Sequence, residues 1–280
     1  YVVDGENRLV GVLSLRELVL ASQGEELRNI MNPDVIKVPA DMDQEHVARI
    51  VANYDLLAVP VVDKENKLLG IVTVDDVMDV MEKEVAEDMA HLAGTHPEID
   101  KLIKAPVISV VKARLLWLIF ALVGDGIVAA YVLKTFEGSL ASAVALAFFI
   151  PVIMTMGGNV GIQSSTVFVR GIATGEIQNT LKYFFREVKI GIIMASLVGL
   201  GVSLIAQLLV GKPSIGFIIG AAMFCTMALA SITGVLIPKF FDRIGVDPAI
   251  ASSPFITTTQ DIFGLSIYFG LASIMLKFLL

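Results

Sequence analysis

The sequence predicts a mixed architecture: a soluble α/β module followed by an all-α transmembrane domain of five helices. Three observations predict it. Hydrophobic residues make up 55% of the 280, and the mean hydropathy of +0.77 is too apolar for a soluble globule. Charge is divided unevenly: residues 1–100 carry 8 Lys/Arg against 21 Asp/Glu, whereas residues 101–280 carry 13 against 7. The acidic half repeats itself, and the apolar half holds five runs long enough to cross a bilayer, which takes roughly 20 apolar residues each.

The repeat has an offset of 59 residues. YVVDGENRLVGVLSLREL (1–18) lies over PVVDKENKLLGIVTVDDV (60–77), matching Val2-Val3-Asp4 with Val61-Val62-Asp63, Glu6-Asn7 with Glu65-Asn66 and Gly11 with Gly70. Each copy reads as strand, polar turn, strand and amphipathic helix. Ahead of the second copy, a short strand is expected at Val35–Val38. A helix should follow from Met42 to Tyr54, with Val47, Ile50 and Val51 on one face. The pattern resembles the CBS domain: residues 28–83 form a complete motif and residues 1–27 the C-terminal half of a first. In that fold Gly70 to Asp76 matches a pattern that can hold an adenosine ribose, here through Thr73 and Asp76, so ATP is a possible ligand. Thr73 also suits a helix cap, with Asp75 and Asp76 in the first turn. The chain opens at Tyr1 with neither Met nor signal peptide, in what reads as the middle of a domain, so a longer protein is expected.

The next segment is acidic. Asp75, Asp79 and Glu82 share one helix face; Glu84, Asp88 and His91 follow on a neighbouring face, with Glu87 beside them and only Lys83 in opposition. Like charges at this spacing destabilise a helix, and a hard divalent cation would relieve the repulsion. A sensing site for Mg²⁺ and a merely solvated acidic face are the two readings. Residues 84–114 form the connection to the membrane. Gly94 and Pro97 should break the helix, and Lys101, Lys104, Lys112 and Arg114 should lie along the cytoplasmic surface.

The expected spans, all within the domain 115–280, cover about 115–134, 138–156, 190–211, 214–237 and 249–276. Basic residues concentrate at the edges that are cytoplasmic if residues 1–114 are, which places the N-terminus inside and the C-terminus outside a cell membrane. Between Glu137 and Arg170 no residue is charged, and the middle of that run is PVIMTMGGNVGIQ, residues 151–163. Gly157-Gly158-Asn159 favours an interrupted helix. Irregular backbone at membrane depth either lines a watery cavity or is buried in protein, while the same residues at the surface would be an ordinary turn. Val160–Ile172 would then be the returning half of a broken helix, and Ile177–Lys189 an interfacial segment.

Inside these spans two acids remain, Asp125 and Asp261. An acid at membrane depth costs at least ~2.5 kcal/mol, which makes each a functional candidate. Asp261 ends the polar run Thr257-Thr258-Thr259-Gln260. Asp125, between Gly124 and Gly126, is either a pathway or a structural residue. Cys225, the one cysteine, falls in an apolar run and is expected to pack.

Together these features resemble the MgtE family of magnesium channels and transporters. The motifs are Pro151 with Gly157 to Ser164, Arg170 to Gly175, Asp247-Pro248-Ala249, Pro254, and Asp261-Ile262 with Gly264. The resemblance implies a homodimer with a pore at its axis, a cytosolic CBS module joined through a plug-like helix, and a further cytosolic domain ahead of the CBS pair. It implies that Asp261 holds hydrated Mg²⁺ and that Gly158 and Asn159 line the pore. It also implies that Asp75, Asp76, Asp79, Glu82, Glu84, Glu87 and Asp88 bind regulatory Mg²⁺. Where some members have Asn beside this Gln163 and before this Pro254, the chain has Ile162 and Ser253. The expected function is Mg²⁺ influx gated by cytosolic Mg²⁺; transport of another divalent cation, or of an anion or small solute, is the alternative. A solute carrier for anions would want cations facing its substrate, and the spans offer acids. No zinc, Ser-His or phosphate-loop pattern suggests an enzyme, and an acidic surface repels nucleic acid.

Overall fold

The strand–turn–strand–helix pattern folds as the repeat requires. The structure is a computed structural model that describes residues 1–93, 106–137, 144–250 and 253–279. It forms two compact units, Tyr1–Ala86 and Glu87–Leu280. In the first, β1 (Val2–Val3) pairs antiparallel with β2 (Leu9–Gly11), followed by α1 (Leu15–Leu20) and α2 (Leu27–Ile30). Then come β3 (Val38–Pro39), α3 (Gln44–Asn53), β4 (Ala58–Val62) and β5 (Leu68–Thr73), in a sheet ordered β3-β4-β5. β3 runs parallel to β4 and β5 antiparallel to it. The strand expected over Val35–Val38 is confined to Val38–Pro39; the Val35 N–H turns back to the Pro33 carbonyl instead. Val38, Val47, Ala48, Val51, Val59 and Val77 form the core.

The repeat is a local two-fold. Asp4 Oδ1 accepts from the N–H groups of Glu6 and Arg8, and Asp63 Oδ1 from those of Glu65 and Lys67. Asn7 and Asn66 then take left-handed backbone, at φ 63° and 65°, which asparagine tolerates better than most residues. Each turn binds the other copy: Asn7 Nδ2 donates to the Leu68 carbonyl at 3.0 Å, and Asn66 Nδ2 to that of Leu9 at 2.8 Å.

α4 runs without a break from Val74 to Leu92. The expected helix breakers Gly94 and Pro97, and the cations Lys101 and Lys104, lie outside the described residues. α5 (Val107–Ala121) follows Pro106 and passes into a π-helical turn, Leu122–Val128, then α6 (Ala129–Thr135). A 3₁₀ turn (Val144–Phe149) leads into α7 (Ile150–Ala173), then α8 (Thr180–Val210) and α9 (Pro213–Arg243); the 3₁₀ turn Pro248–Ile250 precedes α10 (Ser253–Leu279). Among the described residues five stretches are long and apolar enough to cross a membrane: Leu118–Thr135, Val144–Ala173, Thr180–Val210, Pro213–Arg243 and Ser253–Leu276.

The interruption expected at Gly157-Gly158-Asn159 does not occur; α7 is one 24-residue helix with Pro151 in its first turn. In an apolar surrounding, a broken turn would leave carbonyls and N–H groups without partners, so the backbone stays helical. The glycines serve packing instead. A Cβ on Gly157 would stand 3.0 Å from Thr226 Cγ2 of α9, and one on Gly161 2.8 Å from Ile256 Cγ2 of α10. Val160–Ile172 is therefore no returning half-helix. Most of Ile177–Lys189 is the first part of α8, which starts at Thr180, where Asn179 Oδ1 accepts from the Lys182 N–H at 2.9 Å, and is continuous with the apolar stretch that follows. Glu187, in this first part of α8, accepts from Ser164 Oγ of α7 at 2.8 Å.

α9 is the central helix. Ile218, Ile219, Ala222, Met223 and Ala230 are fully buried against α7, α8 and α10. Small residues let α8 approach it: a Cβ on Gly220 would stand 2.8 Å from the Gly199 carbonyl oxygen, and one on Gly216 2.8 Å from that of Ser203. Tyr268 of α10 donates its hydroxyl to the Leu146 carbonyl at 2.8 Å, tying the last helix to the turn before α7.

Candidate functional site

The polar run on α10 divides by helix geometry. Residues four apart share a face, so Ser253, Thr257 and Asp261 form one line. Gln260, next in sequence to Asp261, lies about 100° round the helix and is 1% exposed; its Nε2 donates to Thr233 Oγ1 of α9. Thr257 returns its hydroxyl to the Ser253 carbonyl at 2.9 Å, and Thr259 to that of Phe255 at 2.8 Å. Asp261 is half-buried. The polar run thus supplies one locked amide for packing and one carboxylate on a separate face.

Gly158 brings α7 against that carboxylate's line: a Cβ there would touch Thr257 Cγ2 at 3.4 Å. Asn159, the next residue, points away from the core. Thr155, Asn159 and Gln163 stand at i, i+4 and i+8, and all three are exposed. The side chains of Asn159 and Gln163 make no hydrogen bond among the described residues. A row of amides and a hydroxyl on the outer face of a membrane helix has no partner in lipid. Sequence grouped Asn159 with the glycines before it. The structure separates them, with glycines on the packed face and amides on the open one.

Asp125 comes to the same region. Its π-helical turn meets α10 where Gly124 abuts Thr258, with no room for a Cβ. Asp125 lies close enough to Asp261 for their charges to interact. Its Oδ1 is buried without a hydrogen-bond partner, as is the Thr258 hydroxyl. The π turn itself escaped sequence reading; the two glycines flanking an acid were its only signal, and such turns occur frequently at functional sites.

Along α4, Asp75, Asp76, Asp79 and Glu82 are exposed, and Glu84, Glu87 and Asp88 are partly covered. Gln44 Nε2 of α3 donates to Glu84 Oε1 at 2.6 Å, and His91 lies 3.6 Å from Glu87. Among the described residues no three His, Cys, Asp or Glu side chains converge closely enough to hold a metal ion. Thr73 and Asp76 do come together. The Thr73 hydroxyl donates to Asp76 Oδ2 at 2.7 Å and its N–H reaches the same oxygen at 3.3 Å. This is the arrangement of Ser14 and Glu17, 59 residues earlier, where α1 has a full capping box. The Asp75 carboxyl is held below the ordinary aspartate range, first by the Thr73 hydroxyl and then by helix N–H groups.

Comparison with known proteins matches residues 150–271 to the MgtE divalent cation transporter domain and residues 27–83 to the CBS domain. The magnesium transporter MgtE of Thermus thermophilus is 39% identical over 99% of this chain, which spans 62% of that protein. The magnesium transporter MgtE of Enterococcus faecalis is 40% identical over 99% of this chain, spanning 61% of its length. The chain thus spans about three fifths of these curated relatives. A solved structure, the cytosolic domain of the Mg²⁺ channel MgtE in complex with ATP, is 57% identical over 29% of this chain and 32% of its own, with a TM-score of 0.28. With a match to the MgtE domain over residues 150–271 and to the CBS domain ahead of it, the chain is a multi-pass membrane protein that is similar along nearly its whole length to MgtE magnesium transporters.

Proposed function

We propose that this chain transports Mg²⁺ across the membrane, as a homodimer whose two α7 outer faces and two Asp261 carboxylates line a shared pathway. The observation that carries the reading is the open polar stripe Thr155–Asn159–Gln163 beside the Asp261 line. In a bilayer such a stripe is stable only against water, an ion or a second polar face, and a two-fold copy provides the last and can enclose the first two. Mg²⁺ sheds water reluctantly and is commonly held through its hydration shell by one or two carboxylates. Two Asp261 side chains would supply the charge; Asn159, and the backbone at Gly158, would supply hydrogen-bond partners to bound water. Asp125 would add a second carboxylate per chain, and Ser253 would stand two turns along the Asp261 line. Another divalent cation is the alternative cargo, since the same groups accept any hard cation.

Regulation follows from α4. Asp75, Asp76, Asp79, Glu82, Glu84, Glu87 and Asp88 repel one another, and Mg²⁺ bridging them to other acids would stabilise a closed state. Because three ligands do not converge among the described residues, each ion would draw carboxylates from more than one segment or copy. With the N-terminus cytoplasmic and the C-terminus outside, cytosolic Mg²⁺ would act as the feedback signal on influx. The boundaries at 27, 83 and 114 divide half-CBS, CBS, connecting helix and membrane domain in this scheme. Exposed apolar residues on the soluble unit, with Leu57 at 82% and Met78 at 65%, suit a dimer face. ATP at Thr73 and Asp76 would have to open their mutual hydrogen bond, so we assign that pair to capping first.

The test is Mg²⁺ flux into proteoliposomes by Asn159→Leu. Loss of at least tenfold in flux, with the dimer intact by crosslinking, supports the shared pathway. Unchanged flux would remove α7's outer face from it.

A further inference from the structure

A second site lies at the junction of α7 and α8. There a cavity of about 840 Å³ opens at the surface of the membrane unit, lined by Lys182, Arg186 and Lys189 together with Gln178, Asn179 and Glu176. The three cations are at i, i+4 and i+7, one face of α8. None of them forms an ion pair among the described residues, and Glu176 is the single acid on the wall, so the cavity is net cationic. Its shape is fixed by the chain around it: the Ile177 N–H returns to the Gly171 carbonyl at 2.9 Å, and Asn179 caps α8.

Its depth identifies the ligand class. From Ile190 to Val210, α8 carries no charged residue, and it exposes Ile193, Leu197, Leu200, Leu204 and Leu208 along its length. That stretch belongs in hydrocarbon, which puts Lys182, Arg186 and Lys189 in the adjoining headgroup layer. Phe185, exposed on the cavity wall between Lys182 and Arg186, adds an apolar surface beside the cations. Scattered basic residues at a membrane edge would attract anionic lipid diffusely. Three on one concave wall, flanked by two amide side chains, can hold one phosphate.

We infer that this cavity binds the phosphate of an anionic membrane lipid, with the acyl chains running along the exposed face of α8. This goes beyond the transport reading and does not depend on it. The test is native mass spectrometry of the full chain in detergent, titrated with phosphatidylglycerol or phosphatidylcholine, for wild type, Lys182→Gln, Arg186→Gln and Arg243→Gln. Gln keeps most of the side-chain volume at exposed positions, so folding is preserved. The expected result is preferential phosphatidylglycerol binding that weakens by about fivefold for each cavity cation removed and is unaffected by Arg243→Gln. Equal weakening by Arg243→Gln would reduce the effect to diffuse surface charge and overturn the site. Displacement of the lipid by soluble glycerol phosphate at equal concentration would assign the cavity to a free phosphate ester and overturn the lipid reading.

Discussion

Gly234→Ala tests whether the glycines of the membrane unit act by close packing. A Cβ on Gly234 of α9 would stand 2.7 Å from the Gly161 carbonyl oxygen and 2.8 Å from Ser164 Cβ, both on α7. Ordinary contact between carbon atoms begins near ~3.5 Å, so α7 and α9 must separate locally by roughly 0.7 Å. One obstacle is backbone, which cannot rotate aside. Overpacking of this kind costs about 1–3 kcal/mol, and the helix-propensity gain of Ala over Gly returns up to about 1 kcal/mol. With the full propensity gain the net expectation is a loss of about 0–2 kcal/mol, which is about 1–3 kcal/mol below a Gly→Ala control that gains propensity without the clash. Gly201→Ala on α8 is the control, because nothing lies within 4 Å of its Cβ position; it should be neutral or slightly stabilising. Reversible unfolding in mixed micelles, followed by circular dichroism, measures both. Equal stability of the two variants would refute the packing account.

Two further expectations concern the start of α4. Thr73→Ala should destabilise the soluble unit by about 1 kcal/mol, the usual worth of a helix cap, with hydrogen exchange rising first at Val74–Asp79. The Asp75 carboxyl titrates below its ordinary value of 3.8 in the folded chain, so its contribution is fully present above that pH. It should be lost as pH falls through the lower folded value, and an acid unfolding profile of Asp75→Asn should be flatter below pH 3.8.

The soluble fold was legible because its information is local and doubled. An Asx turn, a left-handed Asn and a cap residue recur 59 positions apart, and each copy completes the other's hydrogen bonds. The five spans were legible from length and hydropathy. What a glycine does in such a span was not. Gly157 and Gly161 would be hinge residues in water; here neighbours on α9 and α10 fill the space beside them and the helix continues. Residues adjacent in sequence were likewise grouped that the 100° step of a helix separates: Gln260 from Asp261, and Asn159 from Gly158. Glu187 went unnoticed because the start of α8 is amphipathic, and its bond from Ser164 of α7 is what ties it to the helical bundle. Asp125 could be singled out by charge, but its approach to Asp261 depends on the π turn and the Gly124–Thr258 contact.

The central claim is that Asp261 carries the ion and the acids of α4 report its concentration. The most direct measurement is Mg²⁺ flux into proteoliposomes for wild type and Asp261→Ala, with Mg²⁺ varied on the side of the soluble unit. The account predicts flux that vanishes in Asp261→Ala while the dimer stays folded, and that falls in wild type as Mg²⁺ on that side rises. Undiminished flux through Asp261→Ala would contradict the pathway. Wild-type flux indifferent to Mg²⁺ on the soluble side would leave α4 a solvated acidic helix.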